Sequence, residues 1–320
     1  VYEPGPPEAI TMEISAGGRV AGRIRQTGGG SRPHWVVYQS VDALIGKIFG
    51  VPGPCASRIA FARGGPGGKE VFACNFDGTD PEQLTRNGSI STEPAWGPAG
   101  KSLVYTLYDR NQTRIVYVDL LRRRQRRLSA FPGLNAGADL APSGELAALC
   151  LSRDDRVELY VMRVTDGALK RLTNDIAVES SPCWSPDGGR ICFVSDRAGR
   201  PQLYVMKANG GGCRRLLDDA AESVSPDWSS VSDAICFSTR DNGRYVIGVV
   251  PMSGDDRRKR IIDLPAGDWE SPSWAPDGRH VVCTHRVGRA RELSMVDTRT
   301  GRVIPVTTPG PFSLPDWSSR

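Results

Sequence analysis

The stretch Ser181-Pro182-Cys183-Trp184-Ser185-Pro186-Asp187-Gly188, followed by the apolar run Ile191-Cys192-Phe193-Val194, decides the fold. It returns as Ser271-Pro272-Ser273-Trp274-Ala275-Pro276-Asp277-Gly278. Weaker copies centre on Trp96, Leu140, Trp228 and Trp317, at intervals of 44, 44, 44, 46 and 43 residues. A period of this length is that of one four-stranded propeller blade. Each unit reads alike. A short strand ends at the Trp. Pro-Asp-Gly then makes a turn, because Pro presets φ and Gly tolerates positive φ. An alternating strand such as Ile191 to Ser195 follows, then a third such as Gln202 to Met206. A tight turn (Asp166-Gly167, Asn209-Gly210 or Thr300-Gly301) leads to a short basic fourth strand: Gln125 to Leu128, Lys170 to Thr173, or Arg214 to Leu216.

Closure follows from counting strands. Trp317 lies three residues from the end, and no second, third or fourth strand follows it. Before Trp96 lie three strands, Arg58 to Ala62, Glu70 to Asn75 and Glu82 to Thr85, with no first strand. The orphan strand completes the orphan triplet, so both chain ends share one blade and no edge is left open. The fold expected is all-β: a six-bladed β-propeller of WD40-like repeats over 51–320, closed by a composite blade. Residues 1–50 do not follow the period. Ile10 to Ile14 alternates as a strand, Gly28 to Ser31 reads as a loop, and Val37, Val41, Leu44, Ile45 and Ile48 have helical spacing up to Gly50. A small α/β piece, truncated or a remnant, therefore precedes the ring.

Net charge is +5, mildly basic, and does not by itself imply nucleic acid. No apolar run is long enough to span a membrane. Val1 to Pro7 has no segment of signal-peptide type. The eight cysteines form no CxxC pair, and Cys150, Cys192, Cys236 and Cys283 sit in apolar strand-like runs as small buried hydrophobes. Three histidines, His34, His280 and His285, are too dispersed for a metal site, and His285 reads as a solvated turn residue. GxSxG, GxxxxGK[ST] and a helix-opening GxGxxG are all missing, so the chain reads as a non-enzyme that needs no cofactor and no metal.

Three residue sets stand out. Arg63, Arg110, Arg153, Arg197, Arg240 and Arg286 recur after each second strand. They could form an anion-binding ring, but the preferred reading is a structural tie at each turn. Glu93, Glu179, Glu222, Glu270 and Asp316 stand near blade starts. First strands line the channel, so these acids are expected to ring one mouth as a docking surface, a weak cation site or a solvated rim. The run Arg122 to Arg127 falls on an outermost strand, where basic residues block edge-to-edge pairing.

With these residues in view, the chain resembles the TolB family of the Tol–Pal envelope system. The carrying phrase is Ser195-Asp196-Arg197-Ala198-Gly199-Arg200-Pro201-Gln202-Leu203-Tyr204, supported by His34, Asp42-Ala43, Ile48, Gly50, Gly53 and Arg58-Ile59-Ala60. The resemblance covers about 32–320, with a shortened N-terminal domain. It implies a periplasmic protein-binding scaffold that docks the peptidoglycan-associated lipoprotein Pal, or a Pal-like protein, at one mouth. It implies roles in outer-membrane integrity, cell division and protein transport, without membrane insertion or nucleic acid, as a monomer. No segment matches the family's TolA-binding stretch, so TolA is left out of the expected partners. Leu134-Asn135-Ala136-Gly137-Ala138 occupies a family Pal-binding loop, with Leu134 where a His is common, and Ser180 matches another contact position. The expected contacts are thus Glu93, Leu134, Asn135, Gly137, Glu179, Ser180, Glu222 and Glu270. The alternatives are a propeller hydrolase or lyase acting on peptide or polysaccharide, and a generic extracytoplasmic scaffold.

Overall fold

The computed structural model describes residues 8–16, 19–28, 33–110, 112–252 and 259–318. Strand after strand is antiparallel and short, and the second and third strands of sheets III and IV are buried on both faces, alternate side chains going to the sheet before and the sheet after: Phe193 packs with sheet III, Cys192 and Val194 with sheet V. Sheet I joins Phe312–Trp317, Arg58–Gly65, Gly68–Asn75 and Glu82–Gln83. Sheet II holds Ile90–Trp96, Ser102–Asp109, Gln112–Asp119 and Arg124–Ser129, and sheet III Asn135–Leu140, Leu146–Leu151, Glu158–Arg163 and Leu169–Arg171. Sheet IV holds Glu179–Trp184, Arg190–Ser195, Gln202–Lys207 and Arg214–Arg215; sheet V holds Ser223–Trp228, Ala234–Asp241, Arg244–Pro251 and Arg260–Ile261. Sheet VI holds Asp268–Trp274, His280–Val287, Ala290–Asp297 and Val303–Pro305. A single parallel pair, Lys69 with Ile90, bridges sheets I and II.

The pairing expected from the chain ends is present. Trp317 lies opposite Ile59, and Ser318 and Arg58 exchange backbone hydrogen bonds through the Ser318 N–H and Oγ, both at 2.9 Å. The Trp317 indole donates to Ser57 Oγ at 2.7 Å. Six apolar clusters hold the sheets face to face, each drawn from two sheets consecutive in the order I to VI, with VI returning to I. Trp184 and Phe193 of sheet IV pack on Ala148 and Cys150 of sheet III. Ile59, Phe61 and Trp317 of sheet I pack on Val282 and Leu293 of sheet VI. Phe193 and Phe237 are fully buried, each contributing roughly 1.5–3 kcal/mol. Cys150, Cys192, Cys236 and Cys283 are buried in the same seams, and all eight cysteines are free thiols.

The Pro-Asp-Gly turns form as their chemistry requires. Gly188 N–H bonds Ser185 O at 2.8 Å with φ 66°, and Asp187 Oδ1 accepts the Gly189 N–H. Sheet V lacks the motif, and Asp233 takes the positive φ there at 38°.

Ahead of sheet I, Glu8–Ala16 and Arg19–Gly28 form an antiparallel hairpin and Pro33–Phe49 a helix. The second hairpin strand was not read from the sequence; it runs to Gly28, the first residue of the stretch 28–31 expected as loop, and 29–31 lie outside the described residues. Asp42, buried on the helix, accepts the N–H groups of Cys55 (2.8 Å) and Ala56 (2.6 Å). His34 pairs with Asp80 at 2.7 Å, and Tyr38 donates to Asp77 at 2.7 Å. The helix is thereby tied to the outer turn of sheet I. No helix among the described residues is long and apolar enough to cross a membrane.

Candidate functional site

Every first strand carries the same irregularity. Its pairing with the second strand shifts just before the Trp position, and the residue three before that position has positive φ: Glu93 (52°), Gly137 (61°), Ser181 (48°), Ser225 (51°), Ser271 (53°) and Leu314 (53°). Five of the six are not glycine, and a left-handed residue costs about 1–2 kcal/mol. A bulge repeated six times, and strained at five of them, is a device of the fold. These bulge residues, each with the two residues that follow it, line one cavity of about 150 Å³. Beyond them, towards the tryptophans, lies a second cavity of about 280 Å³, lined by Trp96, Trp184, Trp228, Trp274 and Trp317.

The two cavities share Asp139, Asp227 and Asp316. The equivalent positions in sheets II, IV and VI are Ala95, Cys183 and Ser273, so acids alternate with small neutral residues around the throat. Each Asp accepts the backbone N–H of a Trp in the following sheet: Asp316 from Trp96 (2.6 Å), Asp139 from Trp184 (2.9 Å) and Asp227 from Trp274 (2.6 Å). Burial pushes the Asp139 carboxyl up to about 7, although the Trp184 N–H draws it down. Burial likewise lifts Asp227 to about 6 and holds Asp316 well above the carboxylate range, and the charge of Asp227 raises both partners further. The throat is thus an acidic, proton-holding constriction. Sequence reading placed Asp316 at a mouth and missed the other two. Its signal was available as the residue immediately before the Trp position in alternate repeats.

The acids expected to ring one mouth are not equivalent. Glu93 is a bulge residue, and its Oε2 accepts Thr106 Oγ1 (2.8 Å) and the Gly137 N–H (3.0 Å), joining two of the expected site residues. Glu179 is fully buried and paired with Arg197 at 2.7 Å. Glu222 accepts the Tyr245 hydroxyl and lies 3.6 Å from Arg240; Glu270 lies 3.4 Å from Arg286. Asn135 is also buried: its Oδ1 accepts Ser129 Oγ and the Phe131 N–H, and its amide donates to Phe131 and Gly133 carbonyls. Leu134 and Ser180 are partly exposed. Glu179 and Asn135 therefore shape the mouth from behind, while Leu134, Ser180, Glu222 and Glu270 reach its surface.

Five of the six recurrent arginines make structural contacts. Arg197, Arg240 and Arg286 pair with acids at the start of their own sheet's first strand, and Arg63, Arg153, Arg197 and Arg240 lie over aromatic rings. The ion pairs run within a sheet, because the second-to-third turn stands over the start of the first strand. His285 corrects another expectation. It is largely buried, stacked on Trp269 at 3.9 Å and 3.1 Å from Ala266 O. The basic stretch 122–127 is exposed at an outer edge, as expected.

The starts of the first strands and the second-to-third turns share one end of the molecule, since Glu179 faces Ser195 and Asp268 faces Arg286. That end exposes Ile90 (44%), Ile176 (86%), Val178 (49%) and Val287 (55%) among the acids. Apolar residues rimmed by polar ones are the composition of a protein-binding face.

Blade-like four-stranded sheets around one channel define an all-β protein of the β-propeller class. A family model of the TolB beta propeller domain matches residues 45–320. The chain is 34% identical over 130 residues to the Tol-Pal system protein TolB of Desulfosudis oleivorans, covering 41% of this chain and 30% of that one. It is 34% identical over 160 residues to the Protein TolB homolog of Chlorobium luteolum, covering 48% and 34%. The solved TolB of Acinetobacter baumannii matches with a TM-score of 0.85 at 25% identity, over 94% of this chain and 76% of that one. The chain belongs to the TolB beta propeller family. It spans about a third of the length of the curated relatives it matches.

Proposed function

We propose that this protein is a periplasmic binding scaffold of the Tol–Pal system that docks a Pal-like lipoprotein at the mouth carrying Ile176 and Val178. The six sheets form one closed six-bladed ring over 51–320, with 1–50 as a separate N-terminal α/β segment whose helix, Pro33–Phe49, is tied to sheet I. The pairing of Phe312–Trp317 with Arg58–Gly65 and the apolar seam between sheets VI and I support this closure. The observation that carries the docking reading is the exposed apolar set, Ile90, Ile176, Val178 and Val287, at the end where Leu134, Ser180, Glu222 and Glu270 surface. Glu93, Gly137, Asn135 and Glu179 hold that surface in shape. Docking buries on the order of 1,000–2,000 Å² and involves no chemical step. Outer-membrane integrity, cell division and protein transport are served by that contact, made by a monomer.

Titration calorimetry against the soluble domain of the Pal-like lipoprotein of the same organism tests this. Micromolar or tighter binding is expected, weakened at least ten-fold by the double substitution I176E/V178E. No heat of binding at micromolar concentrations, or an unchanged affinity in the double variant, sinks the reading.

A further inference from the structure

At the seam between sheets III and IV, three carboxylates converge away from the channel. One oxygen each from Glu158, Asp175 and Glu179 lies within 4.8 Å of the other two. Glu158 and Glu179 are fully buried. Their Oε1 atoms are occupied: Glu158 Oε1 accepts Arg171 (2.6 Å) and the Asp175 N–H (3.1 Å), and Glu179 Oε1 accepts Arg197 (2.7 Å). Their Oε2 atoms have no hydrogen-bond partner. A buried carboxylate oxygen without a donor is destabilising, and here two of the three clustered carboxylates each carry one. The arginines do not discharge the cluster. Asp154 also shares Arg171, at 3.5 Å, so four carboxylates face two guanidinium groups.

We propose that Glu158, Asp175 and Glu179 form a binding site for a hard divalent cation of the calcium type. The donor set is oxygen only, which excludes the soft-metal preference for thiolate and imidazole. Oxygens about 2.4 Å from one ion stand at most about 4.8 Å apart, and the three oxygens here lie within 4.8 Å of one another. Calcium accepts irregular shells completed by water, whereas magnesium demands near-octahedral geometry. Asp175 is the half-exposed member, with 37% of its side chain accessible, and opens the site to solvent. An ion there neutralises charge beside two buried carboxylates that each keep an unbonded oxygen, and pins the connection between Arg171 and Glu179, which also carries Ile176 and Val178.

The test is calcium titration of the full chain by calorimetry, with thermal unfolding in calcium and in chelator. The wild type is expected to bind calcium and to melt higher in its presence. Asp175→Asn, at a half-exposed position that leaves the fold intact, is expected to weaken binding at least ten-fold; Glu179→Gln does the same if it folds. Asp227→Asn, in the throat, is the control and leaves this binding unchanged. The proposal is overturned if the wild type shows no calcium affinity at millimolar concentration. It is equally overturned if Asp175→Asn binds as the wild type does, or if Asp227→Asn alone removes the binding.

Discussion

Asp139 shows how one side chain serves two ends. Its Oδ2 caps the Trp184 N–H, and its backbone carbonyl receives the Trp184 indole N–H at 3.2 Å. The same burial that makes the cap rigid disfavours the charged carboxylate. In the unfolded chain an Asp ionises near 3.9. In the folded chain Asp139 holds its proton up to about 7 and Asp227 up to about 6. Between about pH 4 and pH 7 the folded state therefore binds more protons, and these groups make stability fall as pH rises. Asp139→Asn keeps an oxygen for the Trp184 N–H but carries no charge. Urea denaturation between pH 4.5 and 7.5 is expected to show a flatter fall in stability for this variant than for the wild type. Parallel curves would refute the account. Glu179 and Asn135 teach the complementary lesson. Glu179 was expected at a mouth as a blade-start acid and Asn135 in a family contact loop, so both were placed at a surface. Their burial follows from Arg197 and from the carbonyls at Phe131 and Gly133, which come near only in the folded sheet.

Among the elements, the turns were the most legible and the bulges the least. Pro-Asp-Gly and Asn-Gly state their own geometry, because φ preference is a property of the residue. Gly78 is a turn where folding adds a further demand. Its φ is 83°, its N–H bonds Asn75 O at 2.9 Å, and a Cβ there would overlap the carbonyl oxygen of Val306 in the neighbouring region of sheet VI. Gly212 has φ 67° with open space around it. Gly78→Ala is expected to cost more than about 2 kcal/mol and Gly212→Ala about 1 kcal/mol, compared by chemical denaturation. Equal costs would show that the close approach to Val306 is immaterial. The bulges escaped reading because a register shift exists only between two strands. Ser-Pro marks the position in sheets IV, V and VI, yet Gly137-Ala138 and Leu314-Pro315 bulge in the same way.

At the scale of the whole molecule, stability is shared between seams, and one seam depends on the last strand of the chain. Phe312–Trp317 covers the edge of Arg58–Gly65, buries Trp317 to 4% exposure and supplies Asp316 to the N–H of Trp96. Ending the chain after Gly310 strips all three at once and leaves an unpaired strand. The truncated protein is expected to self-associate on size exclusion relative to the full chain and to melt well below it, whereas Trp317→Ala alone costs about 3–5 kcal/mol and elutes as the full chain does. A truncated chain that elutes as the full chain does with an unchanged melting point would contradict the role given to this strand.

The 44-residue rhythm, the turn residues and the unmatched strands at the two chain ends determined the sheets, their order and their partnership, because local φ preference and apolar alternation act along the chain. Only the tertiary structure decided which acids face the throat, which lie buried against arginines, and that Glu158, Asp175 and Glu179 meet. The physical reason is that burial and charge pairing depend on distances through space, and residues from separate strands become neighbours only after the sheets have packed.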